Sequence, residues 1–405
     1  MLQEHFKVAH ISTYQGGGAG LAAYRLHNSL LKANINSKFL SGHQTGTSKD
    51  RELIESIQWK LFYRILSKLG IPILNVHKNN RKVAQLNGKF EKISFPDQDN
   101  RIETLETLNN ADIINLHWVS DLINYKTFFK QFKDKPIVWT LHDMAPFQGI
   151  FHYKNDLLNN NAYIKIEQRE VANKIKYLAG LENLHIVTPS KWLLSESENS
   201  ELFKRFPHHL IPYGQPLNDF RMLDKIMAKN ALGLEPNMPT LIFVAENLSN
   251  IRKGVQILMD AIHSLPENSV QILTIGNHPI IFANQPHRNL GFISNEQIIS
   301  LAYSAADLCI LPSLEDNLPN VMLESFACGT PVLSFKVGGM LDWIDGEKMG
   351  FFADEINSKS LREAILDFVT GKRSFDSWEI RKLAEENFDE KIQSTRYISL
   401  YNSIL

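Results

Sequence analysis

The stretch SLEDNLPNVMLESFACGTPVLSFKVGG, residues 313–339, decides the fold of the second half of the chain. Pro319 indicates a helix entry, because proline at the first helical position loses no hydrogen bond and already has a helical φ. Backbone amides behind it, reinforced by the helix dipole, form a site for an anion. The helix ends near Gly329, an apolar strand follows, and Gly338-Gly339 lets backbone approach a ligand closely. The pattern predicts a strand–loop–helix–strand unit of an α/β domain.

Two carboxylates flank this helix entry. Asp316 precedes it, and Glu324 projects from the second helical turn, eight positions later. A carboxylate accepts hydrogen bonds from a diol, so an anion site beside Glu324 suits a nucleotide diphosphate with its ribose. The alternative is an ordinary β-loop-α unit whose carboxylates are solvated.

At these residues the chain resembles the nucleotide-sugar-dependent glycosyltransferases of the GT-B fold, specifically the large retaining family 4. That family carries an acid, seven intervening residues, a second acid, a small-residue turn and Pro-Val; here the acids are Asp316 and Glu324. The first acid is Asp where the family usually has Glu, and Asn317-Leu318-Pro319 replaces the usual Gly-Phe-Gly. A branch of the family linked to bacterial surface polysaccharides looks like this chain, with Glu-Asp-Asn-Leu-Pro-Asn.

The resemblance implies the fold class α/β, GT-B, with two facing Rossmann-like doubly wound parallel-sheet domains and a C-terminal crossover helix. A chain of 405 residues is long enough for two domains, and its short apolar runs alternate with helical patterns, as in parallel α/β layers. The predicted parts are an N-terminal acceptor-side domain (1–213), a C-terminal nucleotide-sugar-binding domain (238–386) and the crossover helix (387–405).

The composition is that of a globular protein, with 43% hydrophobic and 21% charged residues and a net charge of −1. That balance gives no reason to expect nucleic acid as a partner. Cys309 and Cys328 fit buried thiols in a reducing compartment, and the N-terminus lacks a signal-peptide pattern. We expect a cytoplasmic protein.

A basic amphipathic segment at 59–82 predicts peripheral contact with the inner face of the cytoplasmic membrane. The alternative is that this segment packs on its own domain.

Arg252 and Lys253 follow a predicted strand, Thr240–Ala245, at the mouth of a strand-to-helix loop. Two adjacent cations suit a diphosphate, whose negative charge grows as the sugar bond breaks. Lys253 with the following glycine matches a Lys-Gly of the resembled family, whereas the family's preceding Arg has no counterpart here. A solvated basic loop is the alternative.

A glycine-rich loop separates the predicted strand Lys7–Ser12 from a helix predicted to begin at Leu21. Such a loop brings backbone amides to phosphate, and in the resembled family it approaches the donor or the acceptor, which implies Gly17 and Gly18. A dinucleotide-binding dehydrogenase is the alternative. It would require an acid at the end of the second strand, where Ser37–Gly42 has none.

Two further predicted strands end in polar side chains, His117 after one and His142-Asp143 after the other. The resembled family places a histidine after the second of these strands, near the transferred sugar. This implies a catalytic role for His142, with His117 and Asp143 on the acceptor side. The alternative is that these histidines are structural.

The helix entry at 317–319 and the free backbone amides behind it supply the remaining donor-binding residues. The predicted catalytic residues are His142, Lys253 and Asp316. The predicted donor-binding residues are Gly17, Gly18, Arg252, Lys253, Asn317, Leu318, Pro319, Asn320, Val321 and Glu324.

Asp97 and Asp99 form an acid-x-acid triplet, a pattern that holds a divalent metal in a different glycosyltransferase fold. A polar turn explains it better, and no spacing of histidines and carboxylates indicates a zinc or iron site. We expect no metal and no cofactor.

The resemblance implies a retaining glycosyltransferase that moves a sugar from a nucleotide-diphosphate donor to a glycan or lipid-linked acceptor in surface polysaccharide biosynthesis (lipopolysaccharide, capsule or exopolysaccharide). Two alternatives stay open: a sugar-nucleotide epimerase or hydrolase on the same fold, and a non-catalytic sugar-nucleotide-binding protein, which the missing Arg makes conceivable.

Overall fold

The structure is a computed structural model with two compact units, one formed by Met1–Ile211 and Ser394–Leu405, the other by Pro212–Gln393. It describes residues 6–43, 51–53, 83, 86–88, 90–98, 102–248, 250–344 and 348–405. The basic segment predicted within 59–82 therefore lies outside the described residues, as does Asp99.

A seven-stranded sheet forms the centre of the first unit, with all described pairings parallel and the order β3-β2-β1-β4-β5-β6-β7. The strands are β1 (Lys7–Tyr14), β2 (Asn36–His43), β3 (Arg51–Leu53), β4 (Ile113–Leu116), β5 (Ile137–Thr140), β6 (Leu184–Thr188) and β7 (His208–Leu210). The helices are α1 (Gly17–Lys32), α2 (Glu106–Asn110), α3 (Tyr125–Gln131), α4 (Lys154–Leu158), α5 (Ile164–Leu178) and α6 (Lys191–Glu198). The chain starts mid-sheet and winds outward in both directions, so the sheet is doubly wound.

The central strands of this sheet are buried on both faces, and their side chains alternate between two cores. In β5, Ile137 and Trp139 pack into the core that contains Phe128, whereas Val138 packs into the core that contains Tyr397. This arrangement places the carboxyl ends of β1, β4 and β5 side by side.

The second unit has a six-stranded parallel sheet in the order β10-β9-β8-β11-β12-β13. Its strands are β8 (Thr240–Asn247), β9 (Gln271–Asn277), β10 (His287–Asn289), β11 (Leu308–Leu311), β12 (Val332–Ser334) and β13 (Gly350–Phe352). Its helices are α7 (Lys225–Ala231), α8 (Val255–His263), α9 (Glu296–Ala305), α10 (Asn320–Ala327), α11 (Leu341–Ile344), α12 (Ser358–Val369) and α13 (Ser377–Phe388). The predicted fold class, two doubly wound α/β domains, is confirmed.

The last helix, α14 (Glu390–Ile404), begins in the second unit and ends in the first. In the first unit the hydroxyl of Tyr397 lies 2.9 Å from Oγ1 of Thr140, and the amide of Asn115 donates to the hydroxyl of Tyr401 over 2.7 Å. This is the crossover helix that the resemblance implied.

Residues 212–237 belong to the second unit, although the predicted domains left most of them as a connection. The reason is an ion pair: buried Lys229 of α7 donates to Asp307 over 2.8 Å, and Asp307 also accepts from the backbone N–H of Thr240 at the start of β8. The segment is thereby attached to the second sheet.

Candidate functional site

Glu324 lies in the second turn of α10 and is only 5% exposed. Its Oε2 accepts a hydrogen bond of 3.2 Å from the hydroxyl of Tyr303 in α9. Burial, and then the charge of Glu324, raise the pKa of Tyr303 well above its usual range, so this hydroxyl stays a donor. A buried carboxylate requires such donors, and Tyr303 is a partner that the sequence did not reveal.

The helix entry differs from the prediction by one residue. Pro319 is the N-cap rather than the first helical residue, with φ −68° and ψ 127°, and α10 begins at Asn320. The φ suits proline, but the extended ψ delays the helix by one position. Asn320 accepts a hydrogen bond of 3.3 Å from the amide of Gln215, a second partner that sequence analysis missed. Leu318 is buried and Val321 half-buried beside it.

Asp316 is buried and surrounded by donors. Nζ of Lys253 lies 2.6 Å from its Oδ2, and a guanidinium nitrogen of Arg252 lies 3.4 Å from the same oxygen. Ser313 donates to Oδ2 over 3.3 Å, and the backbone N–H of Asn317 donates to Oδ1 over 3.1 Å. Burial alone would raise the pKa of Asp316, but the charges of Lys253 and Arg252 outweigh burial and lower this pKa below its usual value. The three charged groups together carry one net positive charge.

The loops that follow two adjacent strands, β8 and β11, bring these charges together. The backbone N–H of Leu314 donates to the carbonyl of Arg252 over 2.8 Å, which joins the loops. Gly254 has φ +68°, and a Cβ there would stand 1.8 Å from the carbonyl oxygen of Pro312. Gly338 has φ +55°, and a Cβ there would stand 1.7 Å from the carbonyl oxygen of Asp316. Only glycine permits either approach.

In the first unit, the structure joins the two predicted histidines to a third. Nδ1 of His117 lies 3.1 Å from Nε2 of His142, and Nε2 of His117 lies 2.9 Å from Nδ1 of His10. All three are buried. Burial lowers the pKa of His142 to about 4 even though Asp143 opposes the shift. His142 is therefore a neutral imidazole at physiological pH.

Asp143 has donors within its own unit. Its Oδ2 accepts from the indole of Trp118 over 2.7 Å and lies 2.7 Å from Nδ1 of His152, and its Oδ1 accepts from the backbone N–H of Ala145 over 3.0 Å. Burial opposes ionisation of Asp143, but His152 and these hydrogen bonds outweigh it and lower its pKa. The geometry makes Asp143 an anchor for the loop after β5.

The loop after β5 is also held by α5. Buried Lys174 donates to the carbonyl oxygens of Ala145 and Gln148, over 2.7 and 2.5 Å. Glu167 accepts from the backbone N–H groups of residues 149 and 150, over 2.5 and 2.7 Å. Neither residue was predicted, because nothing in the helical pattern marks an inward-facing charge.

The predicted start of the first helix, after the glycine loop, was wrong. The helix α1 begins at Gly17 rather than at Leu21, with Gly16 as its N-cap, so Gly17 and Gly18 form its first turn. At Gly20 the helix approaches β1 closely, since a Cβ there would stand 2.5 Å from the carbonyl oxygen of Tyr14. Glycine at position 20 is therefore required by packing.

Within the described ranges, no three side chains of His, Cys, Asp or Glu come together as a metal-binding group. In the same ranges, no helix combines the length and apolar character needed to cross a bilayer.

Comparison with known proteins finds a family similarity within the second unit. Residues 238–370 match the family model described as glycosyl transferases group 1. The D-inositol 3-phosphate glycosyltransferase of Segniliparus rotundus is 25% identical over 261 residues, which cover 59% of this chain and 54% of that protein. The chain thus spans about half the length of this relative.

Solved structures share the fold along nearly the whole chain. Sucrose-phosphate synthase from Thermosynechococcus elongatus has a TM-score of 0.70 at 17% identity and covers 99% of both chains. Anabaena HepE in complex with UDP-glucose has a TM-score of 0.65 at 16% identity and covers 98% of this chain and 100% of its own. These likenesses confirm the predicted GT-B fold, and residues 238–370 are similar to the glycosyl transferases group 1.

Proposed function

We propose that this chain is a retaining glycosyltransferase that moves a sugar from a nucleotide-diphosphate donor to a glycan or lipid-linked acceptor. One observation carries the proposal: Lys253 and Arg252 converge on Asp316 at the ends of β8 and β11, directly before the helix that holds buried Glu324. The family match at 238–370 includes all four residues. Ligands of doubly wound sheets bind outside the carboxyl ends of the strands, which is where this group lies.

In this proposal, the four residues contact three parts of the donor: the ribose, the diphosphate and the transferred sugar. Glu324 accepts hydrogen bonds from the ribose hydroxyls, and the hydrogen bond from Tyr303 orients its carboxylate. Lys253 and Arg252 neutralise the diphosphate, assisted by the positive end of α10. Asp316 binds hydroxyls of the transferred sugar and holds the ammonium of Lys253 in place.

The reaction breaks the bond between the anomeric carbon and the diphosphate oxygen. An acceptor hydroxyl oxygen bonds to the anomeric carbon on the face from which the diphosphate departs, and the hydroxyl proton passes to the departing phosphate oxygen. Negative charge grows on that phosphate, so fixed cations at 252 and 253 stabilise the transition state more than the ground state. His142, as a neutral imidazole, orients the sugar or the acceptor. The proposal needs no metal and no cofactor.

The biological setting is proposed on the Glu-Asp-Asn-Leu-Pro-Asn stretch beginning at Glu315, shared with the branch linked to bacterial surface polysaccharides. We place the enzyme in lipopolysaccharide, capsule or exopolysaccharide synthesis in the cytoplasm, with the segment 59–82 contacting the inner face of the membrane. Purified protein that ignores anionic vesicles at low salt would contradict the membrane contact.

The test begins with a thermal-shift screen of the full chain against UDP-, GDP-, ADP- and dTDP-sugars, since a matched donor stabilises the folded state by mass action. The stabilising donor is then incubated with glycan, lipid-linked and inositol phosphate acceptors, and products are identified by mass spectrometry and by their anomeric configuration. Donor consumed without acceptor supports an epimerase or hydrolase. Tight binding without any turnover supports a non-catalytic binding protein. A product in which the sugar is bonded to the acceptor with the anomeric configuration of the donor supports the proposal.

A further inference from the structure

Three buried histidines of the first unit form one hydrogen-bonded row. His10 comes from β1, His117 follows β4 and His142 follows β5, and these strands are neighbours in the sheet. The ring nitrogens are 2.9 Å apart between His10 and His117 and 3.1 Å apart between His117 and His142. The corresponding ring centroids are 5.2 and 5.4 Å apart. The row therefore links the predicted catalytic histidine to the middle of β1.

All three rings are neutral at physiological pH. Burial first, and then the neighbouring histidines, lower the pKa of His10 and of His117 well below the usual range. Burial likewise lowers the pKa of His142. A neutral imidazole has one N–H donor and one bare nitrogen acceptor. Because His117 uses both nitrogens in the row, its two hydrogen bonds must run in the same direction.

Two directions satisfy this condition. In the forward direction, Nδ1 of His10 donates to His117, and Nδ1 of His117 donates to Nε2 of His142. In the reverse direction, Nε2 of His142 donates to His117, and Nε2 of His117 donates to His10. In the forward direction His10 and His142 both carry their proton on Nδ1. In the reverse direction both carry it on Nε2.

The far nitrogen of His10 distinguishes them. Nε2 of His10 is buried and has no hydrogen-bond partner among the described residues. The nearby ring of His27 is not a hydrogen-bond partner of this nitrogen. Its centroid stands 6.0 Å from that of His10 at an interplanar angle of 63°, and its Nδ1 lies 2.7 Å from the hydroxyl of Ser37. The reverse direction would bury an N–H at Nε2 of His10 without an acceptor, which proteins avoid more strictly than an unused acceptor. The forward direction leaves only a bare nitrogen there.

We infer that His10 and His117 are positioning residues that fix the tautomer of His142, with its proton on Nδ1 and its Nε2 lone pair held by His117. It follows that His142 acts as a hydrogen-bond donor through Nδ1 and not as a base through Nε2. The inference rests on the proposed function only for the role of His142 at the sugar. The tautomer itself is a property of the protein without substrate.

The test is nitrogen NMR of the full chain labelled with ¹⁵N-histidine, at neutral pH and without ligand. The signals of His142 are assigned by their loss in His142→Gln. We expect a protonated Nδ1 and a bare Nε2 in the wild-type protein. A protonated Nε2, or an imidazolium, overturns the inference, and neither result bears on donor binding.

A matched pair of variants tests the role of His10. His10→Phe removes the donor to His117, so the His142 signals should move toward a mixture of tautomers. His185→Phe is the control, because Nδ1 of His185 lies 3.2 Å from Nε2 of His209 in a comparable but separate pair between β6 and β7. That control should leave His142 unchanged. An unchanged His142 in folded His10→Phe would overturn the assignment of His10; should His10→Phe fail to fold, the wild-type tautomer decides.

Discussion

The ammonium of Lys253 lies 2.6 Å from Oδ2 of Asp316, although the two residues come from loops after different strands. A charged group with this little exposure requires a partner; the side chain of Asp316 is 9% exposed and that of Lys253 is 24% exposed. Each charge therefore keeps the other in place before any substrate arrives. The cation is held where, in the proposed reaction, the diphosphate leaves, so little rearrangement is needed during transfer.

Removing this ammonium should slow transfer more than it weakens donor binding. We expect Lys253→Met to lower kcat by roughly 100-fold, the range found when one donor to a developing negative charge is lost. Steady-state kinetics at saturating donor measures this. Lys372→Met is the matched control, since Lys372 forms an exposed pair of 2.7 Å with Asp367 in the same unit. An undiminished kcat in Lys253→Met would refute the assigned role.

The turn at Gly338 should be intolerant of any side chain. Gly338→Ala places a methyl group against the carbonyl of Asp316 and also forces alanine into a left-handed conformation, which alone costs about 1–2 kcal/mol. We expect lower thermal stability and a lower kcat, because the backbone of Asp316 must move. Gly371→Ala is the control: its φ is +78° but nothing lies within 4 Å of the added Cβ. That variant should lose stability without losing kcat; equal kinetics in both variants would contradict the account.

Lys174 should make the first unit more stable at alkaline pH. Burial lowers its pKa from 10.5 to about 8. Between these values the unfolded chain binds the proton that folded Lys174 has released, so the free energy of unfolding rises with pH in this window. The rise should be about 2–3 kcal/mol between pH 8 and 10.5. Denaturant unfolding of the full chain at a series of pH values measures this rise in the free energy of unfolding.

The contribution of Lys174 is isolated by comparing two variants of α5. Lys174→Met should be less stable overall, because it leaves two buried carbonyls without their donor, and it should lack the alkaline rise. Lys165→Met changes an exposed lysine on the same helix and should retain the rise. The same slope in all three proteins would show that Lys174 is not the group responsible.

The local sequence pattern was sufficient to predict much of the secondary structure of the second unit. The stretch 313–339 predicted a loop, a helix and a strand, and the structure has α10 and β12 there. The strands β10 and β13, which are three residues long and lie at the edges of the sheet, were not predicted. His287–Asn289 has no apolar run at all, so its strand pairing depends on β9 rather than on its own sequence.

Contacts between distant residues could not be read from the sequence. Tyr303 is 21 positions from Glu324, and no local spacing connects them. The histidine row had a detectable signal, since a doubly wound order places β1, β4 and β5 side by side, yet only side-chain directions show that His10 joins it. The inward-facing charge of Lys174 depends on a loop that folds over α5, and periodicity treats such a residue as exposed.

The central claim is that the Glu324 carboxylate binds the ribose of a nucleoside diphosphate, and calorimetric titration tests it most directly. The full chain is titrated with UDP, GDP and ADP, and the tightest ligand is measured again with Glu324→Gln and with Glu363→Gln, which alters an exposed glutamate of α12. Losing charge-assisted hydrogen bonds should weaken binding by about 10- to 100-fold in Glu324→Gln, with no change in the control. Equal affinity for wild type and Glu324→Gln would contradict the account.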